Sequence, residues 1–236
     1  MSHEVNIHQA QTRILRELLF TDKAGFAVLQ KPTGLTSDHF KFHIKRLLEL
    51  SYVEKVTGGK YRLTANGKEY ANKLDTDNNT MEKQPKSAVI LVAKKVEKGI
   101  SYFLIQERRK HPYFGFWGFP GGKIRWGETI LQAAARELKE ETSLDATFSH
   151  QGIYHEQVLE EETGKLLEDK IFHVVFCSDV QGELTPSFDS GNNFWLTIQQ
   201  VKHQEKRYSS FDIEMDIGLG KASFVEAIQY YRRDQF

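Results

Sequence analysis

Cysteine occurs once in the 236 residues, at Cys177, which excludes an intramolecular disulfide. Cys177 closes an apolar run that starts at Ile171 and reads as a buried thiol. No stretch approaches the ~20 apolar residues that a membrane-spanning helix needs, so no membrane partner is expected. The first residues lack the apolar centre of a secretory signal. A reducing, cytoplasmic setting is therefore the expectation. Internal repeats and low-complexity tracts are also missing, apart from one polar stretch described below. Neither charge sign is in excess, with 32 Lys and Arg against 32 Asp and Glu. What the chain does have is 39% hydrophobic residues, enough for a real core, and this excludes whole-chain disorder.

The balanced charge is unevenly spread. Residues 1–74 hold twelve Lys and Arg against seven Asp and Glu, and the remainder is acidic to the same extent. A basic front and an acidic back predict two modules with different partners. The break falls at residues 75–86, DTDNNTMEKQPK, a polar stretch without periodicity that reads as a linker. Before it, helices are expected over residues 7–20, 23–30 and 36–50. Phe40, Ile44, Leu47 and Leu48 share one face of the third. Two short strands flanking Gly58-Gly59 form a hairpin, and Thr64 caps a closing helix over 65–74. After the linker, strands are expected at 88–96, 102–107, 146–155, 170–178 and 194–197. A strong helix covers 129–142, with Leu131, Ala135 and Leu138 as its buried stripe. A C-terminal helix is expected over 223–232.

The chemistry concentrates in Gly122-Lys-Ile-Arg-Trp-Gly-Glu128 and, after seven residues, Arg136-Glu137-Leu138-Lys139-Glu140-Glu141. Glu137, Glu140 and Glu141 stand at i, i+3 and i+4, on one helix face. Three crowded carboxylates disfavour a bare helix and suit a hard cation that binds oxygen. Gly121-Gly122 lets the backbone come close to a metal or a phosphate. Alone, the carboxylate triplet is as consistent with a solvated acidic helix.

The full spacing resembles the Nudix box: Gly, five residues, Glu, seven residues, Arg-Glu, an apolar residue, any residue, Glu-Glu, any residue, Gly, apolar. Gly122, Glu128, Arg136, Glu137, Leu138, Glu140, Glu141 and Leu144 match it. The preceding Trp117-Gly118-Phe119-Pro120-Gly121 is similar to the segment before the box in MutT-like members. Ser143 departs from the pattern, standing where the family has its second Gly. A left-handed conformation there favours Gly and costs Ser on the order of 1 kcal/mol. The resemblance implies an α/β/α sandwich with a mixed sheet over 87–236. It also implies a Mg²⁺-dependent hydrolase, with Mn²⁺ as the substitute, that cleaves a diphosphate linkage in a nucleotide-like substrate. Glu137, Glu140 and Glu141 would hold the metal, with the Gly122 carbonyl as a further ligand. Glu128 would pair with Arg136 or join the metal shell. The base that activates water would be Glu137 or a residue outside the box, first Glu183 and then Glu160, Glu161 or Glu162. Arg108, Arg109 and Trp117 are candidates to meet the substrate, with Phe114 and Phe116 as further stacking rings. ADP-ribose, a sugar nucleotide and an oxidised nucleoside triphosphate all remain open.

Residues 1–74 resemble a winged helix-turn-helix domain, so the whole chain is expected to be α+β. The resemblance implies double-stranded DNA as a partner. His39, Lys45 and Arg46 would lie on the recognition helix, with Lys60 and Arg62 on the wing. With so little positive charge, a homodimer would be needed for useful affinity. His39 and His43 have metal-ligand spacing, but no third ligand is evident. The rival reading is a transcriptional regulator whose Nudix domain senses a nucleotide with little turnover.

Overall fold

The computed structural model describes residues 7–236, so the first six residues of the expected front domain lie outside the described residues. The chain divides into two compact units that meet at Lys83 and Gln84.

The first unit opens with α1 (Gln9–Leu19), α2 (Phe26–Gln30) and α3 (Ser37–Glu49). His8 caps α1 by accepting a hydrogen bond from the Ala10 amide, and the Gln11 side-chain oxygen accepts one from the His8 amide. The hairpin of β1 (Val53–Val56) and β2 (Lys60–Leu63) follows. Ala24 and Tyr61 exchange backbone bonds of 2.9 Å, adding a third short strand segment to the hairpin. Ile14, Leu15, Leu29, Phe40 and Leu47 are fully buried at its centre. The closing helix α4 (Ala65–Ala71) is shorter than expected, because Leu74 turns into a strand. The stretch read as a linker is largely folded: β3 (Leu74–Asp75) pairs with β4 (Thr80–Met81). Asp75 explains this, since its carboxylate accepts the Asp77 and Asn78 amides and closes the turn locally.

The second unit is built on a mixed sheet. Its strands are β5 (Lys86–Glu97), β6 (Ile100–Arg108), β7 (Trp117–Gly118), β8 (Gly121–Lys123), β9 (Asp145–Glu160), β10 (Leu166–Gln181), β11 (Ser187–Phe188), β12 (Gly191–Leu196) and β13 (Phe224–Tyr231). The order is β11-β12-β6-β5-β10-β9-β13, with β7 on β6 and β8 on β5. Three helices complete it: α5 (Ile130–Thr142), α6 (Ile198–Lys202) and α7 (Phe211–Gly218). Alternation along β5 sends Val89, Leu91 and Ala93 toward α5 on one face, and Ile90 and Val92 toward Phe211, Met215 and Ile217 of α7 on the other. This gives the expected helix–sheet–helix layering.

Two expectations fail here. Residues 224–231 form a strand parallel to β9, not a helix, with Val225, Ala227, Gln229 and Tyr231 turned inward. The buried stripe of α5 is Ala133, Ala134, Leu138 and Thr142, and Leu131 is exposed. The small alanines let the helix lie close to Val89, Leu91 and Val175.

Candidate active site

The glycine-rich segment is held as a strand. Ile90 pairs with Gly121, Val89 with Gly122 and Ala88 with Lys123. A methyl on Gly121 would stand 2.3 Å from the Val89 carbonyl oxygen, and one on Gly122 would stand 2.1–2.4 Å from the Glu137 carboxylate. Both positions therefore exclude side chains, one for the sheet and one for the site. Opposite them, α5 starts at a reciprocal cap between Thr129 and Gln132. It ends on Ser143 in the left-handed conformation, φ 64°, as the departure from the box implies. Ser143 is anchored there by a 2.7 Å hydroxyl contact with Thr185.

Arg136 organises the carboxylates. Its Nε and Nη2 donate to Glu128 at 2.5 and 2.8 Å, and its Nη1 donates to Glu137 at 2.6 Å and to Glu140 at 3.3 Å. Arg125 reaches Glu140 at 3.0 Å, and Gln106 donates to Glu141 at 2.8 Å. The hydrogen bonds from Arg136 and the Arg125 amide hold the Glu128 carboxyl down at about 2. Glu128 thus takes the Arg136-pairing role. Burial pushes Glu141 up to about 7, and the charges of Glu137 and Glu140 add to this against the Gln106 bond.

Among the described residues, no three carboxylate or imidazole groups already converge as a closed metal cage. The donor set nevertheless fits a hard cation. Glu137 lies against the backbone of Gly122, Glu140 and Glu141 flank it on the same helix, and crowding and burial penalise the negative charge at Glu141.

The other expected residues fall around this centre. Arg108 donates to the Pro112 carbonyl at 2.6 Å and borders a cavity described below. Arg109 is exposed, tied by its amide to Ser190. Trp117 packs on Phe194 with ring centres 5.0 Å apart, and Phe116 is buried among Tyr113, Tyr208 and Tyr231. Neither ring is free, whereas Phe114 is exposed and stacks on His111. Glu183 is exposed in the segment after β10 that packs on the end of α5, where the Thr185 amide donates to Thr142. Glu160 ends β9, and Glu161 and Glu162 lie in the turn that joins it to β10, at the end of β10 opposite Glu183.

A cavity of about 400 Å³ adjoins Gly121 and Gly122, on the sheet face away from α5. Phe119, Phe172 and Ile90 give it apolar walls, while Glu156, Glu168, Lys170, Ser210 and Glu214 give it a polar floor. The sequence reading missed this floor, along with Gln106 and Arg125. Glu156 was detectable as a carboxylate at an inward position of β9, between buried Tyr154 and Val158. Glu214 was not, because α7 was not expected.

In the first unit, His39, Lys45, Arg46, Lys60 and Arg62 are all exposed. Arg46 is paired with Glu49 at 3.3 Å and Arg62 with Glu54 at 2.6 Å. His8 stacks on His43 at 4.6 Å, a neighbour that the sequence spacing did not reveal.

Residues 83–215 match the NUDIX domain model, and the chain belongs to that family. Over 93 residues it is 32% identical to an ADP-ribose pyrophosphatase of Methanocaldococcus jannaschii, covering 38% of this chain and 53% of that one. Over 51 residues it is 45% identical to an 8-oxo-dGTP diphosphatase of Proteus vulgaris, covering 22% and 46%. The chain thus spans about half the length of these curated relatives. The NUDIX domain of Shewanella oneidensis NrtR, solved with ADP ribose, superposes with a TM-score of 0.52 at 16% identity, over 67% of this chain and 99% of that one. A mutator MutT protein from Bacillus halodurans gives 0.50 at 20% identity, over 64% and 93%. At these identities the likeness establishes the fold.

Proposed function

We propose that the second unit hydrolyses a diphosphate linkage in a nucleoside diphosphate derivative, with Mg²⁺ as cofactor and Mn²⁺ able to replace it. The observation that carries this reading is the Glu137 carboxylate lodged against Gly122, beside a cavity large enough for a nucleoside. The named activities of the relatives, on ADP-ribose and 8-oxo-dGTP, belong to the same class. Glu137, Glu140, Glu141 and the Gly122 carbonyl would hold the cation. When bound, it would neutralise the phosphate oxygens and lower the pKa of water at the reacting phosphorus. Arg136 restrains Glu137 and keeps Glu128 ionised. Arg108, which lines the cavity, would meet phosphate. Glu183 is the proposed base, on the strength of its segment's packing at the end of α5. In the double variant Glu140→Gln, Glu141→Gln, ligand charge is removed at nearly constant volume. Turnover on a panel of nucleoside diphosphate derivatives should fall by orders of magnitude with the fold intact. Near-normal kcat would refute the assignment, and tight nucleotide binding by the native chain without hydrolysis would favour the sensor reading.

The three helices, the hairpin and the Ala24–Tyr61 bridge support a winged-helix reading of the first unit. On this reading Lys45 and Lys60, exposed and without an ion pair among the described residues, would carry phosphate contacts with duplex DNA, with His39 on the same recognition helix as Lys45. Arg46 and Arg62 would have to leave their carboxylates first. Binding by a homodimer should weaken steeply with salt, and Lys60→Ala should reduce that slope by about one. Salt-independent binding of random duplex, with no enriched sequence, would exclude the DNA role.

A further inference from the structure

The large sheet of the second unit ends differently at its two edges. One edge strand, β11, has only two residues. Short edge strands give another chain little to pair with. The other edge strand, β13, has eight residues and pairs with β9 in one unbroken register. It contains no proline and no lysine, and Glu226 is its one charged residue. Bulges, prolines and lysines are devices that keep a sheet edge from adding a further strand, and β13 has none of them.

The backbone shows which groups stay open. The Ser223 and Tyr231 carbonyls accept from the Ile153 and Glu161 amides, both at 3.0 Å. Odd-numbered residues of β13 therefore direct their N–H and C=O groups toward β9, and Phe224, Glu226, Ile228 and Tyr230 direct theirs away from the sheet. The side chains of the same four residues share one face. Phe224 is 58% exposed, Ile228 51% and Tyr230 60%. Ile153 and Leu159, which stand beside Phe224 and Tyr230 on β9, widen this apolar stripe. The charges around it are met within the chain: Glu226 by His155, Lys221 by Asp216, Arg232 by Asp234 and Arg233 by Glu160. No charge is left over to select an oppositely charged partner.

We infer that β13 is the interface of a homodimer, in which two copies pair antiparallel about a two-fold axis at Ala227 and join their sheets. The occupant follows from self-complementarity. Outward-facing backbone groups bond only when even-numbered residues stand opposite even-numbered ones, so the axis must pass through a residue. An axis at Glu226 sets that carboxylate against its own copy. Axes at Val225, at Ile228 or further along run pairs off the end of the strand. The axis at Ala227 keeps all four outward residues paired within β13. Phe224 meets the partner's Tyr230 and Glu226 meets the partner's Ile228, each twice by symmetry. Aromatic residues directly opposite each other favour such a pairing, and no like charges face each other. The inference rests on neither the hydrolase reading nor the DNA reading, and no step of the proposed hydrolysis uses β13.

The experiment is sedimentation equilibrium of the full chain over a range of concentrations, comparing the native protein with Ile228→Glu and Ile228→Lys. Position 228 is exposed and its amide faces away from β9, so either side chain is compatible with the fold. A glutamate there faces the partner's Glu226 twice, whereas a lysine faces it with the opposite sign. The native chain should sediment as a dimer. Ile228→Glu should weaken association by about tenfold or more, and Ile228→Lys should stay within about threefold of native. Treatment of Ala227→Cys with copper phenanthroline should give a disulfide-linked dimer, because the axis brings the two copies of residue 227 to about 4.5 Å between Cα atoms. Cys177 is fully buried, so the native chain serves as the control without a cross-link. A monomeric native chain, a dimer that both charges affect alike, or a dimer that Ala227→Cys does not cross-link would overturn the inference. If a charge variant does not fold, the cross-link decides alone.

Discussion

Replacing Gly122 by Ala should separate catalysis from folding. The added methyl would sit 2.1 Å from the Glu137 carboxyl carbon, with both oxygens within 2.4 Å. Ordinary carbon contact, about 3.5–4.0 Å, lies roughly 1.5 Å further out, so the carboxylate must move by more than about 1 Å. The neighbour that yields is the end of a flexible side chain, which can rotate away. The folding cost should therefore be small, and a methyl in a strand recovers about 0.5–1 kcal/mol of backbone entropy. The chemistry has no such freedom. A displacement of about 1 Å removes the 2.6 Å bond from Arg136 and takes Glu137 off the position where it would hold the metal. Misplacement on this scale costs about a hundredfold in rate. Gly121→Ala is the control, because its methyl meets the Val89 carbonyl oxygen at 2.3 Å and no side chain can yield there. That variant should lose at least about 1–3 kcal/mol, or several degrees in Tm for a unit of this size. Differential scanning calorimetry and steady-state turnover on the two proteins provide the test. If Gly122→Ala keeps kcat within about threefold, or melts as low as Gly121→Ala, the reasoning about Glu137 is wrong.

Ser143→Gly should leave Tm nearly unchanged. Relief of a left-handed serine, about 1 kcal/mol, is offset by loss of the hydroxyl contact with Thr185; a fall of many degrees would show that this contact dominates. His155 is held between Glu226 at 2.9 Å and Asp169 at 2.8 Å, which raises its pKa. Its stabilisation is complete below the unfolded value and is lost as pH rises through the folded one. Tm should therefore fall more between about pH 6 and pH 8 in the native chain than in His155→Gln; parallel profiles would remove His155 as the cause.

The helix that carries the carboxylates could be read from the sequence because its signals are local: a capping Thr129, a spaced set of glutamates and a glycine pair before it. The strand at 224–231 could not. Val225, Ile228 and Tyr231 satisfy helical spacing, whereas the strand turns Val225, Ala227, Gln229 and Tyr231 inward and leaves Ile228 exposed, and only pairing with distant β9 decides between the two. Helix α7 is only eight residues long, with Asp212 and Asp216 as a narrow polar face, too short for a helical period to stand out in the sequence. The carboxylate floor of the cavity joins β9 to α7, two elements far apart in the chain, and no spacing rule reaches that far. Apolar character alone puts Leu131 on the buried face, but the packing selects Ala133 and Ala134, whose small side chains allow close approach, and leaves Leu131 exposed.

Gly121 to Lys123 hydrogen-bond to the central strand β5, and Pro120 and Ile124 extend that ladder through Leu91 and Ser87. A glycine-rich stretch is commonly pictured as supple. Here its amides belong to the same cooperative unit as the core and should exchange with solvent as slowly as those of β5. Substrate phosphate would then arrive at an anchor already in place. Any adjustment to different substrates would fall to the turn between β6 and β7, where Tyr113 and Gly115 both take positive φ.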